Sequence, residues 1–193
     1  MVEILAVLSA SAAAGLRIGL PLLLIGLLRG NLWFDVPLLS QVPPQVVVGV
    51  LVSWSLFEVF ASKKLLGQRI VHMIQLVFSP VAGTIVGIAV ARAMGIIDWL
   101  SVLLGAIGGL LALVLQLVQV GWFFRLRGLP IWAIFAQDFL CIILVFLALD
   151  APEQGGLIAM LLLWLAMRSS SAWYRWYVGK GRSPTETIEP ADS

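Results

Sequence analysis

The chain has 193 residues, 61% of them hydrophobic and 11% charged, with a formal net charge of +2. Soluble domains carry about 25% charged residues, so this composition excludes a water-soluble fold. The small net charge excludes nucleic acid as a partner, and a single cysteine, Cys141, excludes an internal disulfide.

Hydropathy places spans at residues 3–29, 44–62, 77–95, 99–121, 131–149 and 155–173. Each has about 18 residues or more, enough at 1.5 Å per residue to cross about 30 Å of hydrocarbon. Only helices or closed barrels satisfy the backbone there, and the runs show no apolar/polar alternation. The expected fold is therefore all-α, a polytopic transmembrane helix bundle of about six spans whose first span is either intact or broken and re-entrant. It forms one domain over residues 1–178, followed by a polar tail, 179–193, whose Pro184 and Pro190 and low hydrophobicity predict disorder.

The first run opens like a signal peptide, with Ile4 to Leu8 followed by the small residues Ser9 to Ala14. The positive n-region is missing, Glu3 is its only charge, and the apolar pattern resumes from Ile18 to Leu28, so it reads as a span. Gly15 and Pro21 mark where it can break and return as two half-helices. Arg17 lies near its middle. A guanidinium there costs at least about 2.5 kcal/mol, so it has to face protein, a partner or water.

Pro37, Pro43 and Pro44 mark the first loop, and Glu58 sits about one turn inside the second span. A loop at 63–76 follows, holding the only histidine, His72. In the third span Gly83, Gly87, Ala91 and Gly95 recur every four residues, leaving one face nearly free of side chains, and Pro80 joins Pro21 as a helix-break position. In the fourth, Gly105, Gly109, Ala112, Gln116 and Gln119 share a face. The short link Ile96 to Asp98 makes these two spans antiparallel neighbours, packed closely with the glutamines at one end. Ser11, Gly15 and Gly19 make a similar stripe in the first span. Asp138 lies seven residues into the fifth span and, with Glu58, is a candidate partner for Arg17.

Short cytoplasmic loops retain Lys and Arg. Lys63, Lys64, Arg69, Arg125, Arg127, Arg168, Arg175, Lys180 and Arg182 fall on one side, and only Arg29 and Arg92 on the other. That bias puts the 63–76 loop, the 122–129 loop and both termini in the cytoplasm, with Asp150 and Glu153 outside. Trp122, Trp132, Trp173, Trp176 and Tyr177 form a belt at the cytoplasmic interface, and Arg168 snorkels to headgroups.

No P-loop, HExxH or GxSxG motif occurs. His72 has no neighbouring His or Cys, so no metal site is expected. Ser169 to Ser171 lack a nearby general base and read as interface residues. No cofactor and no enzymatic activity are expected.

Several strings together resemble one family: AAAGLRIGLPLLLIGLL at 12–28, the Glu58 and Lys63 pair, PVAG at 80–83, GAIGGLLALVLQ at 105–116 and QDFL at 137–140. They are similar to the bacterial domain of unknown function 4126 family over about residues 8–152. The chain departs from that pattern at Ser62, where an Asp usually precedes the Lys, and at Gln116 and Gln119, where a His and a Lys are usual. The resemblance implies an integral protein of the bacterial cytoplasmic (inner) membrane and no particular reaction.

Two functional classes fit these features. One is a small ion or solute transporter or channel with a polar intramembrane site at Arg17, Glu58, Asp138, Gln116 and Gln119. The other is a non-transporting scaffold or assembly factor that uses its small-residue faces to dock membrane proteins. A lipid-modifying enzyme resting on Asp138 is the least supported class. Membrane lipid is the expected partner in every case, together with a second copy of the chain or another membrane protein.

Overall fold

A computed structural model describes residues 1–28, 42–61, 65–126 and 130–180. Seven helices account for nearly all of them: α1 (Val2–Leu16), α2 (Gly19–Leu28), α3 (Pro44–Ala61), α4 (Leu65–Ala93), α5 (Asp98–Leu126), α6 (Ile131–Asp150) and α7 (Pro152–Lys180). The segments Arg69–Ala93, Asp98–Arg125 and Trp132–Asp150 are each long and apolar enough to cross a membrane, and α1, α2 and the Pro44–Glu58 stretch of α3 are shorter apolar helices. The protein is an all-α membrane protein. Arg29, Lys63, Lys64, Arg127, Ser62 and the tail from residue 181 lie outside the described residues.

Helix α1 is the core. From Ala6 to Leu16 every residue but Leu8 is buried, and α4, α5, α6 and α7 all pack against it. The run Ser9-Ala-Ser-Ala-Ala-Ala-Gly15 explains why four neighbours fit: it carries almost no side-chain volume, so backbones approach closely. A Cβ on Gly15 would lie 2.7 Å from the Ala112 Cα, and one on Gly83 would lie 2.5 Å from the Ala112 Cβ. Ala112 of α5 is thus wedged between α1 and α4. Along the α4/α5 seam, a Cβ on Gly87 would come within 3.0 Å of the Gly105 Cα, and one on Gly109 within 2.6 Å of the Pro80 oxygen. Gly105 is similarly close to the Thr84 oxygen, and Gly19 of α2 to the Ser55 hydroxyl of α3. Two hydroxyls of α1 reach neighbouring backbone, Ser9 donating to the Leu144 oxygen (2.8 Å) and Ser11 to the Gly83 oxygen (3.1 Å).

Four expectations are corrected. First, Gly95 packs against nothing; it is the only glycine with a left-handed φ (+75°) among the described residues, and it ends α4. Its N–H bonds to the Arg92 oxygen and that of Ile96 to the Ala91 oxygen, a Schellman cap that only glycine enters without strain. Second, Pro80 does not break its helix: α4 runs through it from Leu65 to Ala93. Third, α4 begins near residue 65, so most of the 63–76 loop is helix and His72 is a buried helical residue, 8% exposed.

The fourth concerns the termini. Ser9 is level with Leu144 and Leu16 with Gln137, while Val7 is near Gly87 and Ser11 near Gly83, so α1 is antiparallel to α6 and α4. Ser11 meets Gly108 and Gly15 meets Ala112; Leu5 meets Gly156, and Leu16 shares a cavity with Ala166, so α1 is parallel to α5 and α7. The start of α1 is therefore beside the α6–α7 turn, at the opposite end of the bundle from the end of α7. Charge counting missed this because no Lys or Arg precedes Arg17.

If close backbone approach at α1 carries the packing, Gly15→Ala lowers the unfolding free energy by about 1–3 kcal/mol, the usual cost of overpacking. Gly49→Ala is the control. Nothing lies within 4 Å of a Cβ there, and the better helix propensity of alanine makes it neutral or stabilising by up to about 1 kcal/mol. Unfolding in mixed detergent micelles measures both.

Candidate functional site

The site is the interruption between α1 and α2. Proline at position 21 has no N–H to give the carbonyl of residue 17, and its ring would clash with that carbonyl in a continuous helix. The chain accordingly leaves helical geometry four residues before it: Arg17 is extended (φ −144°, ψ 138°). Pro21 itself falls in the first turn of α2, where its missing N–H costs nothing.

A helix that stops leaves its last carbonyls without intrahelical donors, and hydrocarbon offers none. Side chains supply them. Gln137 Nε2 of α6 donates to the Leu16 oxygen (2.7 Å) and Gln119 Nε2 of α5 to the Gly15 oxygen (3.4 Å). The two amides are also joined, Gln137 Nε2 to Gln119 Oε1 at 2.7 Å. The Ala13 oxygen accepts the Arg17 N–H, with the Cys141 thiol 3.5 Å away.

Arg17 stands at the negative end of the α1 dipole, which favours a cation. Its Nε bonds to Asp138 Oδ1 at 2.6 Å; Arg17 is 5% and Asp138 21% exposed. Glu58 of α3, 1% exposed, lies within the electrostatic reach of both. It accepts from Trp54 Nε1 and from Gln75 Nε2, each at 2.9 Å. Gln75 Oε1 in turn accepts from Gln116 Nε2 at 3.3 Å. Two bonded polar groups therefore meet at the break, one from α5 and α6 around Arg17 and one joining α3, α4 and α5 through Glu58, Gln75 and Gln116.

The structure brings together Arg17, Glu58, Asp138, Gln116 and Gln119, the five positions singled out for a polar site. Gly15, Gly19 and Pro21 frame the break, whereas Gly83, Gly87, Gly105, Gly109 and Pro80 belong to the α4/α5 seam behind it. Sequence reading missed Gln75, His72 and Ser79, which share the inward face of α4 at 3-4 spacing. With the third span beginning at residue 77, these three positions fall in or at the edge of the expected 63–76 loop, apart from the helical pattern. Gln137 was overlooked as a cap, although an amide beside Asp138 in an apolar run was the available signal. The His72 ring lies 5.1 Å from the Phe123 ring in a tilted contact, near Gln75 and Arg17. Three polar atoms here, Ser55 Oγ, His72 Nδ1 and Ser79 Oγ, are buried without a hydrogen-bond partner among the described residues. No group of three or more His, Cys, Asp or Glu suited to a metal ion occurs among those residues.

The family model described as a domain of unknown function (DUF4126) matches residues 4–172. The chain belongs to this family. No curated protein and no solved structure matches it. The break and its polar residues all lie within the matched region.

Removing one partner of the buried ion pair should be expensive. Asp138→Asn is expected to cost about 3–5 kcal/mol of stability, the usual penalty for an orphaned buried charge. Adding Arg17→Gln should recover part of it, since the two residues are coupled. Gln137→Leu, which strips the Leu16 carbonyl of its donor, should cost about 1–3 kcal/mol. Unfolding titrations of the four proteins in micelles test the set, and a double variant no more stable than Asp138→Asn would contradict the pairing.

Proposed function

We propose that this protein is a small transporter of the cytoplasmic membrane that binds an ion or polar solute at the α1/α2 break. One observation carries the reading: a helix interrupted inside the bundle places Arg17 against the Asp138 carboxylate, with the buried Glu58 of a third helix within electrostatic reach. Interrupted helices whose ends and nearby charges meet at mid-membrane are the recurring construction of transporter binding sites. Intramembrane ionisable residues are costly and are kept mainly where they act on cargo. The unpartnered Ser55, His72 and Ser79 atoms support it further, because buried polar groups normally have a partner and a polar guest would supply one. The reading assigns the protein no catalysis and no cofactor.

The positive-inside bias assigns the basic ends of α5 and α7 to the cytoplasm. Since α1 is parallel to both, its start then lies outside. Helix α1 is about 22 Å long at 1.5 Å per residue, short of the about 30 Å hydrocarbon thickness. The stretch between Leu28 and Pro44 is shorter than the about 20 residues a further span needs. In this reading α1 and α2 enter and return as a re-entrant pair whose tip is Arg17. An N-terminal alkaline phosphatase fusion should then be active and a C-terminal fusion inactive, with the opposite pattern for green fluorescent protein.

In proteoliposomes, a screen of monovalent ions and small charged solutes should find a flux that Arg17→Gln and Glu58→Gln abolish. Both variants, although Arg17→Gln loses stability by orphaning Asp138, should still be recovered as folded protein. Flux unaffected by either substitution would defeat the proposal.

A scaffold role is the second reading. It is favoured by the completeness of the Arg17–Asp138 pair and of the amide caps, which together can simply hold helices in place. Purification in mild detergent would then recover a stoichiometric membrane-protein partner, and no flux would be found.

A further inference from the structure

A cavity of about 310 Å³ opens between α5, α6 and α7, with Leu16 at its inner end. Its walls are Leu115, Val118, Ala136, Leu140, Leu162 and Leu165, among others. It also touches Gln119, Gln137, Trp122 and Ser169, whose amides, indole and hydroxyl already bond within the protein. The glutamine amides cap α1 and join each other, and Trp122 Nε1 donates to Ser169 Oγ at 2.8 Å. What the walls offer a guest is mainly hydrocarbon. The volume is at the small end for ligand pockets, which suits one chain and not a whole lipid.

The mouth has a different character. Trp122 is exposed there; Arg125 follows it by one turn of α5, and Arg168 adjoins Ser169 on α7. Both arginines are exposed, and the Arg168 guanidinium lies 5.5 Å over the Trp164 ring. Arginines within one turn of the lining residues Trp122 and Ser169 complement an anionic lipid, chain inside and phosphate outside.

We propose that this cavity holds one acyl chain of an anionic phospholipid whose phosphate is bound by Arg125 and Arg168. The site is separate from the polar break and does not depend on the transport reading. The test uses the full chain purified in detergent, titrated with dioleoylphosphatidylglycerol, dioleoylphosphatidylcholine or inorganic phosphate, reading Tm and bound lipid by native mass spectrometry. One phosphatidylglycerol per chain should be retained and should raise Tm, with phosphatidylcholine weaker and phosphate inert. Ala136→Trp, which fills the slot, should abolish both effects; Leu165→Trp provides a second filling variant should the first not fold. Arg125→Gln with Arg168→Gln should erase the preference for phosphatidylglycerol over phosphatidylcholine while leaving chain binding. Lipid binding unchanged in both filled variants would overturn the proposal. So would equal protection by inorganic phosphate, or a filled variant that changes only the oligomeric state, which would make a second copy of the chain the occupant.

Discussion

The constraint behind this architecture is that a backbone carbonyl inside hydrocarbon cannot be left without a donor. Helix α1 ends within the bundle, so its last carbonyls need donors from elsewhere, and α5 and α6 provide them through Gln119 and Gln137. Those two amides fix where α5 and α6 stand relative to the break. The arginine that follows then needs a carboxylate, and Asp138 sits next to Gln137 on the same helix. One turn of α6 thus meets both demands, the carbonyl and the charge.

The rest of the packing follows from the volume of α1. Four helices surround it because its side chains are mostly methyl groups, hydroxymethyls and hydrogen. A bulkier core helix would push those neighbours apart and take the amide donors out of reach of the carbonyls. The small-residue core and the polar break are therefore one design: close approach makes short polar side chains long enough.

Much of this was legible in the sequence, unevenly. The helical membrane class followed from composition, and an interruption of the first run from Gly15 and Pro21. Arg17 announced a need for carboxylates because a charge in an apolar run has few other outcomes. The polar face of α4 was not legible, because Lys63, Lys64 and Arg69 made its first turns look like a loop and hid His72 and Gln75. Pro80 misled for a related reason. Proline lowers helix propensity locally, yet packing against α5, where Gly109 admits the Pro80 carbonyl, keeps α4 continuous. The direction of α1 could not be read at all, since orientation is decided by basic residues and its start has none.

The near-featureless surface of α1 has a mechanical side. Its small residues repeat about every four positions, as Ser11 and Gly15 do, and so do those of α4 at Gly83 and Gly87. A helix with such a surface could be shifted by one repeat, about 6 Å along its axis, and meet nearly the same hollows. Steric fit alone distinguishes poorly between such settings. The polar contacts do distinguish them, acting like pins in a ratchet: the Arg17–Asp138 pair, the two amides and the Ser9 and Ser11 hydroxyls together hold one setting.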